Sequence, residues 1–119
     1  KIGVKKMSIM LGKYYFKGPY SSLNKLENKP GLYAVHCQEE ERKILDIGEA
    51  AMIRDRIKTH ERMKCWLRWS EDQGIAVSAY YTKHWTQTNR MKAVNKLRDK
   101  YSPPCGKKID GKLFLTKDN

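Results

Sequence analysis

The sequence predicts an α+β domain, a small antiparallel three-stranded sheet flanked by helices. Three observations predict it. Two short runs of strand formers, residues 32–36 and 44–47, are separated by the polar stretch Gln38-Glu39-Glu40-Glu41-Arg42, the pattern of an antiparallel hairpin. A third run, residues 74–82, alternates through Ile75, Val77 and Ala79. Around these strands the apolar residues recur at helical spacing. No internal repeat, low-complexity block or linker divides the 119 residues, so a single domain is expected, with its core over residues 17–106 and a short extension at each end.

Residues 1–29 are mixed and basic. The aromatic cluster Tyr14-Tyr15-Phe16 is expected to cover the core, Gly18-Pro19 to punctuate the chain, and Ser21 or Ser22 to cap a short helix through Leu26. The hairpin that follows places Tyr33 and Asp46 on neighbouring strands. After Gly48 the period becomes helical over residues 53–60, with Met52, Ile53 and Ile57 facing inward and Arg54, Lys58 and Arg62 outward. Residues 63–70, with Trp66 and Trp69, read as a buried connector before the third strand. Thr88 or Asn89 then caps a helix running to about Tyr101, which Pro103-Pro104 ends. Leu113-Phe114-Leu115 reads as a short packing strand.

Charge narrows the partners. Lys plus Arg number 25 against 13 Asp plus Glu, a formal net charge of +12. Such an excess draws a protein toward polyanions. An anionic membrane surface is the other candidate, but no apolar run approaches a span, and no charged segment followed by an apolar one opens the chain. A soluble, cytoplasmic protein is the expectation, with its oligomeric state open. Cys37, Cys65 and Cys105 are an odd set without CxxC spacing, so neither a disulfide framework nor a zinc site is expected, and a reducing compartment fits. A domain of this size has room for one surface groove and none for a deep cofactor cavity.

The order of certain residues adds a resemblance. Tyr33 stands in Pro30-Gly31-Leu32-Tyr33-Ala34-Val35, and thirteen residues later Asp46 stands in Leu45-Asp46-Ile47-Gly48-Glu49-Ala50. Arg56 follows Gly48 by eight residues and His60 by twelve. This order resembles the GIY-YIG nuclease superfamily, in which a Gly-Ile-Tyr strand pairs with a Tyr-Ile-Gly strand and the next helix supplies an arginine. Gly31-Leu32-Tyr33 stands for the first motif and Asp46-Ile47-Gly48 for a degenerate second one. Residues 97–106 resemble the segment that comes shortly after the family's invariant glutamate on its last main helix.

Hydrolysis of a phosphodiester needs a base for water, a cation on the phosphate and positive charge where the transition state gathers electrons. The resemblance implies Tyr33 as general base, provided a metal or Arg56 depresses its ordinary pKa of about 10. It implies Arg56 as the stabiliser of the phosphorane, and His60 as a phosphate donor or proton-transfer group. Asp46, in place of the family's second-motif tyrosine, would orient a lysine or arginine or approach the metal through water. Glu49 adds a second carboxylate. Arg54, Lys58 and Arg62 are expected to track the nucleic-acid backbone, and Arg90 stands where a basic residue often opens the family's last helix.

A departure concerns the metal. The resemblance implies Mg2+ or Mn2+ held by a glutamate, and that position falls on Val94, or on Asn95 with a shift of one residue. Neither is a carboxylate. The leading expectation is therefore a metal-dependent DNA endonuclease, with this chain an inactivated form that lacks the metal-binding glutamate. The alternative is a catalytically inactive module that binds nucleic acid, single- or double-stranded, in the same basic groove. A protein-binding surface formed by Trp66, Trp69 and Trp85 is a third reading, which leaves the charge without a role.

Overall fold

A computed structural model describes residues 7–106 of the chain. Strands β1 (Ser8–Leu11) and β2 (Tyr14–Tyr20) come first, then β3 (Gly31–Cys37) and β4 (Glu40–Ala50). Two short helices follow, α1 (Ile53–Lys58) and α2 (Met63–Trp69). Strand β5 (Ile75–Tyr81) and the long helix α3 (Gln87–Tyr101) complete the order. The strands form one antiparallel sheet in the order β1-β2-β5-β3-β4. The expected three-stranded sheet is therefore corrected to five strands.

The two unforeseen strands lie where the sequence shows a turn signal. Gly12 and Lys13 join β1 to β2, and Gly12 takes the positive φ of +59° that glycine allows in so tight a turn. Along β2 the side chains alternate, with Phe16 buried and Tyr15 exposed. Gly18-Pro19 does not end the strand, because the register with β5 shifts between Lys17 and Tyr20 and so accommodates a proline that donates no hydrogen bond. The helix expected after Ser22 shrinks to a 3-10 turn, Leu23–Lys25, without a side-chain cap.

Helices cover both faces. Tyr33, Val35, Ile53, Ile57, Trp66, Val77 and Ala79 form one buried cluster under α1 and α2. Leu11, Phe16, Leu32, Ala34, Ile47, Val94 and Leu97 form the other under α3. The hairpin register, Tyr33 opposite Gly48 and Val35 opposite Asp46, puts Tyr33, Gly48 and Asp46 on the α1 and α2 face. Helix α3 is capped by Thr86, whose hydroxyl accepts from the Asn89 N–H, two residues before the expected cap. It ends where Ser102 turns left-handed, φ 46°, ahead of the two prolines.

Three further expectations change. Residues 63–69 are helical and not a connector, with Trp66 buried and Trp69 exposed. Met52 is exposed, while Ile53 and Ile57 are buried as expected. Cys65 and Cys105 form a disulfide across 40 residues, although the spacing suggested free thiols. The bond arises because α2 and the segment after α3 both dock on β4, where the Cys105 N–H donates to the Leu45 carbonyl. Disulfides persist in oxidising surroundings, so this one argues against the expected reducing cytoplasm. Among the described residues no helix is long and apolar enough to cross a membrane. The strand expected at Leu113-Phe114-Leu115 lies outside the described residues.

Candidate functional site

Strand β4 is an edge of the sheet, and an edge leaves backbone groups without ladder partners. The Ile47 carbonyl there accepts from Arg98 Nε of α3 at 2.8 Å. That bond draws α3 over the rim from one face, while α1 and the Arg62 segment approach from the other. Between them lies a groove of about 170 Å³ lined by Tyr33, Gly48, Glu49, Arg56, Arg62, Met91, Val94, Asn95 and Arg98. Gly48 is needed at its floor, since a Cβ there would collide with the Tyr33 hydroxyl.

Tyr33 is almost completely buried, and its hydroxyl lies 2.6 Å from His60 Nε2. The backbone N–H of Arg62 donates to His60 Nδ1 at 3.0 Å. That bond fixes the tautomer: Nδ1 keeps its lone pair, and the ring proton sits on Nε2, which donates to the Tyr33 oxygen. The phenol's own O–H is then left to donate into the groove. His60 lies beyond the end of α1 and not within the helix, with Trp66 packed on its ring at 4.5 Å between centroids.

The electrostatics reverse one expectation. Tyr33 is pushed up to about 12, by burial first and then by Asp46, against the opposing pull of Arg62, Arg56 and Arg98. The arginines are near enough to act on the phenol but do not make it a base at neutral pH. His60 is lowered to about 4, by burial and by the charges of Arg62 and Arg56. Both groups are therefore neutral at pH 7. Burial also lowers the Arg98 guanidinium from its ordinary value, with Arg62 adding to the effect.

The carboxylates are already committed. Asp46 is fully buried and accepts from Arg62 Nε at 2.7 Å and from Trp66 Nε1 at 2.6 Å. The pair holds Arg62 at the lining of the groove. Glu49 pairs with Arg90 Nε at 2.8 Å and with Gln87 Nε2 at 3.3 Å. Arg56 is held in a two-pronged pair by Glu61, at 2.7 and 2.9 Å, and Glu61 is the exposed partner. Arg56 in turn holds the Glu61 carboxyl down to about 2.

Of the nine residues expected to act on substrate, Tyr33, Arg56, Arg62 and Glu49 line the groove, with His60 and Asp46 directly behind them. Arg54, Lys58 and Arg90 are not part of it. Lys58 lines a separate recess with Leu23 and Met63, and Arg54 Nε is buried without a hydrogen-bond partner among the described residues. Arg90 is buried against Glu49 and the Trp85 carbonyl. Sequence reasoning missed Arg98. The available signal was its spacing with Met91 and Asn95, which puts all three on one helical face.

The donors do not fit the expected metal. Val94 is buried in the groove wall and offers no donor, Asn95 offers one neutral carbonyl, and both Glu49 oxygens are already engaged. A hard divalent cation takes charged oxygens. Among the described residues no three His, Cys, Asp or Glu side chains are placed to share a metal ion. What the groove does offer is three guanidinium groups and a phenolic donor, a set suited to an anionic oxygen ligand. Comparisons of the chain with protein-family models, with curated proteins and with solved structures find no match.

Proposed function

We propose that the groove at the β4 edge binds a phosphodiester of nucleic acid, with Arg56, Arg62 and Arg98 on the phosphate oxygens and the Tyr33 hydroxyl as an added donor. The observation that carries this reading is the convergence of those four side chains on one recess. The net charge of +12 supplies the attraction that brings a polyanion to it. Glu61 holds Arg56 until the ligand arrives. An exposed ion pair contributes only about 0.2–1 kcal/mol, so a phosphate displaces Glu61 at little cost. Arg62 stays oriented by Asp46 throughout.

In this reading the protein is a binding module related in plan to the GIY-YIG nucleases, whose motif order it resembles. The test is affinity for a short DNA. Arg98→Gln and Arg62→Gln are each expected to weaken binding roughly tenfold to a hundredfold, the worth of one charge-assisted pair of hydrogen bonds. Unchanged affinity in both variants would reject the proposal.

Endonuclease activity is the second reading, and the 2.6 Å bond between Tyr33 and His60 favours it, because it fixes the phenol beside the phosphate with its own O–H free to donate. It needs a carboxylate at the groove wall. Val94→Glu, with Asn95→Glu as the control for register, tests this directly. Cleavage of DNA with Mg2+ or Mn2+ by either variant, lost again with Tyr33→Phe, would favour the enzyme. Binding without cleavage by both favours the module.

A further inference from the structure

Helix α3 has a second flank that the groove does not use. Met91, Val94, Asn95 and Arg98 face the arginine groove. Asn89, Lys92, Ala93 and Lys96 face a second recess of about 280 Å³, closed on its far side by Lys13, Tyr14 and Trp85. At 100° per residue these two sets point to nearly opposite sides of the helix. The second recess is built on the aromatic cluster of the sheet: Tyr14 packs on Tyr80 and Trp85, with centroids 4.8 and 5.9 Å away. Lys13 Nζ sits over the Tyr14 ring at 5.6 Å. Lys13, Lys92 and Lys96 are all exposed, and among the described residues no carboxylate lines this recess.

The geometry points to a double-stranded occupant: α3 lies in a groove of a nucleic-acid duplex, one strand's phosphates in the arginine groove and the other's on Lys13, Lys92 and Lys96. This rests on the phosphate-binding reading above. An α-helix with its side chains is about 10–12 Å across, which separates the two recesses by the width of a helix. The major groove of B-form DNA is about 12 Å wide and admits a helix. The crest of α3 between the two flanks carries exposed Thr88 and Asp99. Asp99 is the one carboxylate of α3, and its place on the crest puts it toward base edges and away from either phosphate row. The lysines are suited to the outer strand, since they neutralise phosphates without demanding a fixed geometry.

The experiment compares a blunt duplex with a single strand of the same length, using the full chain and a Lys13→Gln, Lys92→Gln, Lys96→Gln triple variant. At physiological ionic strength each released phosphate contact is worth roughly fivefold, so the triple variant is expected to lose about a hundredfold in duplex affinity. Its affinity for the single strand, which occupies the arginine groove alone, is expected to change by less than about threefold. Unchanged duplex affinity, or an equal loss on both ligands, overturns the inference. Arg98→Gln is measured in parallel on both ligands: if it still loses binding while the triple variant does not, the arginine groove stands and only the second strand's site is rejected. The substituted lysines are exposed, and an unshifted thermal midpoint excludes misfolding as the cause of a loss.

Discussion

At the scale of single residues, His60 is held neutral by its surroundings, and that neutrality can be measured. The unfolded chain takes up its proton near the ordinary 6.5, the folded one near 4. More protons are thus bound by the unfolded state between those values. The contribution to stability is complete above about pH 6.5 and is lost as pH falls toward about 4, by up to about 1.4 kcal/mol per pH unit. His36, buried and also lowered, acts in the same direction. Nuclear magnetic resonance of the three histidine rings should show His60 titrating near 4, and a midpoint near 6.5 would contradict the buried, arginine-flanked setting assigned to it here.

Asp46 supports a second prediction at this scale. Asp46→Ala removes the acceptor of both Arg62 Nε and Trp66 Nε1, so chemical denaturation should reveal a loss of about 3 kcal/mol. Glu61→Gln works the other way: freeing Arg56 should tighten DNA binding roughly threefold to fivefold. Tyr33, Arg56 and His60 were legible in the sequence because the order of strand, strand and helix fixes their meeting. Arg98 was not singled out: its spacing with Met91 and Asn95 shows only a shared helical face, and which face meets the groove depends on how α3 crosses the β4 edge, a tertiary fact. The direction of the Tyr33 shift was also hidden, since neither its burial nor its distance from Asp46 can be counted along the chain.

At the scale of elements, the hairpin of β3 and β4, the strand β5 and the helix α3 were legible from period alone. The strands β1 and β2 were not, because Gly-Pro normally ends a strand and here sits in a bulge of β2. The disulfide was illegible for a related reason: Cys65 and Cys105 are 40 residues apart and meet only through their shared docking on β4. Opening a loop of that length by Cys65→Ser should cost about 4 kcal/mol on the chain-entropy relation. Urea unfolding with and without a thiol reductant checks it. Gly48→Ala is expected to destabilise by about 1–3 kcal/mol and to displace the Tyr33 hydroxyl, because the strand pairing leaves no room for the added methyl.

At the scale of the whole molecule, 25 basic side chains stand against 13 acidic ones. Arg62, held by the buried Asp46, and Arg98, held by the Ile47 carbonyl of the edge strand, line one flank of α3 together with Arg56, and lysines line the other. The central claim is that the arginine groove is occupied by phosphate. Its most direct test is the dependence of DNA affinity on salt, measured for the unaltered chain and for Arg98→Gln. Binding by released counterions gives a linear fall of log K with log salt, and loss of one phosphate contact should lower the slope by about 0.9. A steep slope that becomes shallower by about that amount in Arg98→Gln is the result expected. Affinity independent of salt, or a slope that Arg98→Gln leaves unchanged, would contradict it.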